Sequence, residues 1–427
     1  MELDIFEVTR EESSHISTYF TTHNNEIAST SGSSQYIFRL PKSTHWRNFA
    51  NSHFEITARM VKSADNSALA DLAVSTVCGT AMALFKNFDI FVGDKRVLTH
   101  ELHSYTSYFE NKWSLSKDVE PTWPALAGWF PDQHGKFDDM TDDGNHGFKS
   151  RRSQLKNDWD ITYCFRPNVF PFCVEKVMPP DVEFRIEVER SSDAFMLLAA
   201  TGVAEAKLVV SKISLVLENV VLNPSIESNL LSRIGKFGAM YEFTQVKMQS
   251  YFIPKDVSVF ELTHHQLIWP TMPAILLMTI VSETAYIGHR EKNPYSMKHC
   301  NVTDLQIKVN GSDLYHGGSL KCDFAKSQYI SAYKEVLSTL EYANSNVRAP
   351  TVTYRAFDND NVFFAANIQR KFPHTIGSPS SSQDLSIVFT FSANTAENQR
   401  LLIYPTYQNA AVVSGAADER TMHLMHS

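Results

Sequence analysis

Apolar and polar positions alternate along most of this chain in short runs, and a helical stripe interrupts them twice. Residues 89–98 read as strand, tight turn, strand, with Gly93-Asp94 at the turn supplying residues that tolerate positive φ. In the segment after it, Leu98, Leu102, Tyr105, Phe109 and Trp113 recur at spacings of three or four, which predicts a helix with one apolar stripe. Residues 305–314 repeat the hairpin, and a second helix follows with Tyr329, Tyr333, Val336, Leu337 and Leu340 on one face. Ile90 and Ile307 are 217 residues apart (307 − 90), about half of the 427-residue chain. Two similar β-rich halves in one polypeptide imply a duplication.

Further strands are predicted at 36–40, 54–61, 159–165, 182–188 and 207–217 in the first half. In the second they fall at 244–253, 274–281, 362–368, 385–391 and 401–404. Neither half shows the alternating helix–strand order of a parallel sheet. Two antiparallel sheets packed face to face suit the pattern, and periodicity alone does not separate a jelly roll from an immunoglobulin-like sandwich. The helix inside each half and a long excursion favour the jelly roll. The fold class expected is therefore all-β: a double jelly roll of two eight-stranded antiparallel sandwiches in tandem, with short helices in each half and long surface loops.

The expected divisions follow from composition shifts. Residues 1–34 carry six acids (Glu2, Asp4, Glu7, Glu11, Glu12, Glu26) against Arg10, and read as an acidic N-terminal arm, loose or laid against a neighbour. Residues 35–222 form the first roll. A connecting helix spans 223–235, with Asn223 as cap, Pro224 in the first turn and Gly235 closing it. Residues 236–427 form the second roll with a C-terminal tail. Residues 114–157, with Pro121, Pro124, Pro131 and four glycines, are expected to be a long surface excursion. Residues 344–350 and 375–383 read as turn-rich loops.

Composition adds constraints. Hydrophobic residues make up 43% and charged residues 20%, a globular balance. The net charge of −8 argues against direct sequence-specific nucleic-acid binding, and the acidic arm has the wrong sign for a genome-binding tail. Cys78, Cys164, Cys173, Cys300 and Cys322 are odd in number and form no CxxC, so they read as buried thiols in a reducing compartment. Residues 301–303 and 310–312 match the glycosylation sequon, a triplet common by chance. Met1-Glu2-Leu3-Asp4 is acidic where a signal peptide needs a basic region, and the best apolar run, 274–281, is too short for a membrane span.

The chemistry-bearing motifs are sparse. In His100-Glu101-Leu102-His103 the histidines are three apart, where a zinc protease needs four, and they are expected on the solvated side of the first helix. His264 and His265 are adjacent, and in a strand they would point to opposite faces. Asp132, Asp138, Asp139, Asp142 and Asp143 could hold a hard cation, but they lack EF-hand spacing and read as a solvated acidic loop. Lys149-Ser150-Arg151-Arg152 reads as a solvated basic run. The aromatic helix faces at 98–113 and 329–340 are expected to pack on the sandwiches. There is no Gly-rich phosphate loop and no GxSxG elbow. No catalytic residue, cofactor-binding residue, metal ligand or cofactor is assigned.

Several segments carry a family resemblance in their order along the chain. They are Glu2-Leu3-Asp4-Ile5-Phe6, Ile90-Phe91-Val92-Gly93-Asp94-Lys95, Phe184-Arg185-Ile186-Glu187-Val188-Glu189-Arg190 with Ser191-Ser192-Asp193-Ala194-Phe195, and Val220-Val221-Leu222-Asn223-Pro224-Ser225. Lys292-Asn293-Pro294-Tyr295 and Asp323-Phe324 with Tyr329-Ile330-Ser331-Ala332-Tyr333 complete the series. The sequence resembles the major capsid (hexon) protein of Maverick/Polinton elements and adintoviruses across about residues 2–410. It departs from that family at 114–157 and after Tyr407.

The resemblance implies a virion structural protein rather than an enzyme. Three copies would form a pseudo-hexagonal capsomer that tiles an icosahedral shell. The implied partners are the chain itself (homotrimer and neighbouring capsomers) with penton and minor capsid proteins, assembled inside the host cell. Two other readings stand beside it. One is a tandem sandwich that binds or cleaves carbohydrate, for which Trp113, Trp123, Trp129 and Trp159 are the candidate groove residues. The other is a domesticated element-encoded scaffold.

Overall fold

The computed structural model describes residues 15–26, 34–69, 73–155, 159–203, 205–267, 269, 271–343, 350–358, 360–376, 383–415 and 420–426. The arm's acids before residue 15, and most of the two loops expected at 344–350 and 375–383, lie outside the described residues.

The first half contains strands β1 (His15–Asn24), β2 (Gln35–Leu40), β3 (Trp46–Lys62), β4 (Val74–Thr76), β5 (Phe85–Val92), β6 (Lys95–His100), β7 (Ile161–Phe165), β8 (Phe184–Arg190), β9 (Leu197–Ala199) and β10 (Ala206–Leu222). Its helices are α1 (Thr80–Leu84), α2 (His103–Ser114), α3 (Trp123–Leu126), α4 (His146–Leu155) and α5 (Asp193–Met196). One sheet runs β1-β10-β3-β7 and the facing sheet β2-β8-β5-β6, with β4-β9 as a small ribbon. The facing sheets obey period-two patterning: Phe88, Ile90 and Val92 on β5, and Phe184, Ile186 and Val188 on β8, all point into the core, and a bulge after Phe85 brings that ring to the same side.

Helix α6 (Pro224–Phe237) leads into the second half, with the Asn223 side chain accepting from Ser225 N–H as its cap. The strands that follow are β11 (Ala239–Val246), β12 (Gln249–Ile253), β13 (Val259–Leu262), β14 (Ile275–Ser282), β15 (Val302–Val309), β16 (Ser312–Asp313), β17 (Leu320–Lys321), β18 (Phe364–Asn367), β19 (Leu385–Phe391), β20 (Gln399–Ser414) and β21 (Thr421–His426). Helices α7 (Glu283–Ile287), α8 (Ile330–Thr339) and α9 (Ile368–Lys371) interrupt them. The sheets run β11-β20-β14-β18 and β13-β19-β15-β16, with β12 and β21 added along β20 and β17 along β15.

Setting aside the ribbon and the added strands, each half has the same order. The first, eighth, third and sixth strands form one sheet, and the second, seventh, fourth and fifth form the other. This is the jelly roll, present twice. The fourth–fifth strand hairpin that suggested a duplication sits at the same place in both halves. Its second copy turns through Asn310 (φ 51°) and Gly311 (φ 75°), the two positive φ values that match strand twist in a two-residue turn.

Local expectations shift in several places. The supposed arm contributes β1, which pairs antiparallel with β10. The first helix begins at His103, and Leu98 belongs to β6. Helix α6 continues past Gly235 and closes at Gly238 (φ 74°), whose N–H bonds the Ile234 carbonyl. The strand expected at 244–253 is two strands, broken at Lys247-Met248. The tail after Tyr407 is not an appendage: β20 runs on to Ser414 and β21 pairs with it.

Helix α8 buries Ala332, Val336 and Thr339, while Leu337 is only half-buried, so its inward face is rotated from the expected one. Val336→Asp places a charge in a fully enclosed site and should remove soluble, folded protein. Leu337→Asp should leave it soluble with its circular dichroism intact. Comparing soluble yield and spectra of the two variants checks the face assignment.

Candidate functional site

The feature that sets the two rolls in one body is the junction between them, built around α2. This helix lies in the first roll's connection from β6 to β7, and its apolar stripe meets residues of the second roll. Tyr108 stacks on Tyr295 at 4.1 Å between ring centroids with 5° between planes. Phe109 meets Phe363 edge-on at 4.9 Å, and Trp113 meets Phe363 at 5.3 Å. Tyr295 also donates to the Ser104 carbonyl at 3.3 Å. The aromatic face of α2, expected to pack on its own sandwich, is therefore a wedge between the sandwiches. Aromatic pairs in these geometries add about 0.5–1.5 kcal/mol each beyond their buried area.

The excursion at 114–157 is the second part of the junction: much of it lies on the surface, as expected, but it also sends side chains inward. Trp129, Phe137 and Phe148 are buried. Beneath them Arg151 donates through Nη2 to Asp132 Oδ1 at 2.6 Å, with both side chains at or below 1% exposure. Arg151 also donates Nε to the Thr76 carbonyl at 2.7 Å and Nη1 to the Phe130 carbonyl. Asn145 donates to the same Asp132 oxygen at 2.9 Å. The other Asp132 oxygen accepts from Asn293 Nδ2 of the second roll at 2.9 Å. Asn293 N–H donates to Asp138 at 2.7 Å, and the Asn293 side-chain carbonyl accepts from Tyr295 N–H at 3.0 Å. One ion pair thus fixes the loop 293–295 against the first roll. Gly147 is required here, since a Cβ would stand 2.3 Å from the Pro131 carbonyl oxygen.

Two sequence expectations fail at this point for the same reason. Arg151 of the basic run and Asp132 of the acidic loop are not solvated; each neutralises the other inside the junction. Of the remaining acids, Asp138 pairs with Lys298 at 3.6 Å, Asp139 with Lys136 at 3.4 Å and Asp142 with Arg152 at 2.6 Å. Among the described residues no group of three or more His, Cys, Asp or Glu is placed to hold a metal ion. Asn293 was visible in the sequence only as part of an Asn-Pro loop. Nothing in its spacing pointed to Asp132, 161 residues away.

Histidines of the first motif are also misplaced by sequence reasoning. His100 ends β6 and His103 opens α2; both are buried, with ring centroids 5.3 Å apart. His103 shares a hydrogen bond with Ser107 Oγ at 2.9 Å. Burial pushes His100 down to about 4, opposed by a hydrogen bond to the Val246 backbone. Burial, and then His100 itself, holds His103 well below the ordinary histidine range. His264 and His265 lie in a turn after β13 with ring centroids 3.7 Å apart, and His264 pairs with Asp384 at 3.0 Å.

Glu110 of α2 faces a cavity of about 450 Å³ between the rolls, lined by Phe109, Trp113, Asn168, Tyr404 and Thr406 among others. Burial raises its carboxyl to about 7, opposed by hydrogen bonds from Asn168 and Tyr404, the latter at 3.0 Å. On the other side of α2, Lys112 lies over Tyr108 and Phe137 at 5.9 and 5.5 Å, and burial lowers its pKa. The four tryptophans do not form a groove. Trp113 and Trp129 are buried, while Trp123 and Trp159 are exposed.

Three outcomes follow for the junction. Arg151→Met leaves the Asp132 carboxylate uncompensated and should lower stability by about 3–5 kcal/mol in chemical denaturation. His100 is depressed in the folded state, so stability should fall as pH drops from about 6.5 towards 4, by up to about 3 kcal/mol from this group. That slope should be shallower in His100→Gln. Glu110 is raised, so its contribution falls as pH climbs from about 4.5 to 7. Glu110→Gln should therefore gain thermal midpoint over the native protein above pH 7 and match it below about 4.5.

No protein-family model matches the chain, and no curated protein matches it. Solved structures do. A protein of the Sputnik virophage superposes with a TM-score of 0.65 at 8% identity, covering 99% of this chain and 91% of that one. The mavirus major capsid protein gives 0.56 at 12% identity, with 95% and 90% covered. A chain of the PBCV-1 virus capsid gives 0.57 at 10% identity, with 98% of each covered. At such identities the likeness establishes the fold: the chain is a double jelly roll of the kind found in viral major capsid proteins.

Proposed function

We propose that this chain is a major capsid protein, of the Maverick/Polinton–adintovirus type, whose role in the virion is structural rather than enzymatic. The observation that carries the reading is the repeat of one strand order in two rolls fixed to each other through a single buried junction. Two like barrels held at a set angle are one third of a six-barrel tile. Three copies related by a rotation close a ring with one repeated heterologous interface, which forms a pseudo-hexagonal capsomer. Shell tiling, and contacts with penton and minor capsid proteins, follow from that tile.

The proposed units are a first roll ending at 222, the connecting helix from 223, and a second roll reaching the C-terminal tail, with β1 counted in the first roll's sheet. The carbohydrate reading loses its basis, because its tryptophans are split between core and surface.

Light scattering coupled to size exclusion tests the proposal. The expected mass is three times the 48.4 kDa chain, and trimer loss should coincide with unfolding. A stable species of 48.4 kDa at every salt concentration would overturn it.

A further inference from the structure

Strand β1 is exposed on both faces, where its counterpart in the second roll is covered on one. It is the edge strand of its sheet, pairing with β10 along one side. Six successive residues from His15 are exposed, so side chains on both faces of the strand meet solvent, with Ile16 at 63% and Phe20 at 55%. Residues 13–25 contain no Asp, Glu, Lys or Arg, and no Pro. Natural edge strands are ordinarily blunted by charge, proline or a covering segment, because a bare apolar edge recruits another chain.

The equivalent first strand of the second roll, β11, shows what the cover is. Tyr241, Phe243 and Gln245 on β11 are buried. The segment between β7 and β8, the first roll's sixth-to-seventh strand connection, lies over it. Phe170 stacks on Phe243 at 4.7 Å. Tyr241 donates to the Val177 carbonyl at 3.1 Å, and Lys176 donates to the Met240 carbonyl at 3.1 Å. So within one chain, the sixth-to-seventh connection of one roll covers the first strand of the next.

Continuing that seam around a ring requires the same connection of the second roll to cover β1 of another copy. The described parts of that connection are residues 368–376, which open with α9, and 383–384. Its Gln369, Arg370, Pro373 and His374 are exposed, while Phe372 and Ile376 are half-buried at its base. The chain's own copy of this segment does not cover β1, since β1 is exposed.

We infer that β1 is the inter-subunit docking strand, and that its occupant is residues 368–376 of a second copy of this chain. This rests on the capsid reading and names the surfaces through which its copies join. Each ring then has three seams within chains and three between them, built from the same pair of elements.

The test uses the full-length protein with a benzoylphenylalanine photocrosslinker at position 20, assembled from a mixture of isotopically labelled and unlabelled chains. Mixed-label crosslinks should map to residues 368–376. In parallel, Ile16→Lys with Phe20→Lys should raise the protein concentration needed for half-assembly at least tenfold. The monomer's circular dichroism should be unchanged, because both side chains are exposed. Trimers whose position-20 crosslinks fall elsewhere or are absent, or a double variant that assembles like the native protein, would overturn this inference and leave the capsid reading standing. A native protein that is monomeric throughout would overturn both.

Discussion

A jelly roll can stand alone only if the outer faces of its sheets are content with water. Here one sheet cannot. Strand β14 is buried almost along its whole length, and β20 nearly so over the part paired with it, because both faces of that sheet are enclosed. On its second face Tyr404 meets Phe109 and Glu110 of α2, and Ile275 and Leu277 line the same cavity as that helix. The two rolls are therefore one packed body rather than beads on a linker. What locks them in register is the Asp132–Arg151 pair and the hydrogen bond that Asp132 extends to Asn293.

Ionic and aromatic parts of the junction play different roles. Stacked and edge-on rings supply area but tolerate sliding. A buried carboxylate with Arg151, Asn145 and Asn293 around it tolerates almost none, because any displacement leaves a charge unsatisfied in a low-dielectric interior. A buried ion pair is a weak source of net stability, and its value here is geometric. The same enclosure shifts the titrating groups around α2: His100 and His103 are pushed down, while the Glu110 carboxyl is raised to about 7. These effects oppose one another between about pH 4.5 and 6.5, so acid sensitivity of the junction depends on individual groups rather than on net charge.

Much of the fold was legible from periodicity. The twin hairpins at 85–98 and 302–315, the alternating strands at 182–188 and 385–391, and the Asn223 cap all appear near their expected places. These are local signals, carried by two-residue alternation and by turn and cap chemistry. The junction was not legible. Arg151, Asp132 and Asn293 lie in polar or proline-rich stretches whose local pattern is that of solvated loops, and only long-range packing turns them inward. His100 and His103 misled for a related reason: they sit where a strand hands over to a helix, so neither period describes them. Strand β1 was hidden by composition, since a short uncharged run was averaged into the acidic segment around it.

The repeat also explains why the two halves differ where they do. Strand β3 spans seventeen residues and pairs with much of β10, whereas β14 spans eight and leaves the far end of β20 to β21. Cover that the second roll receives from its own chain, the first roll lacks. A three-dimensional reconstruction of the purified assembly by electron cryomicroscopy tests the central claim most directly. The expected particle is three-fold, with six barrels in a hexagonal outline, paired within each chain by an unbroken junction at α2. Barrels of one chain found at variable separations, or an assembly without three-fold symmetry, would contradict it.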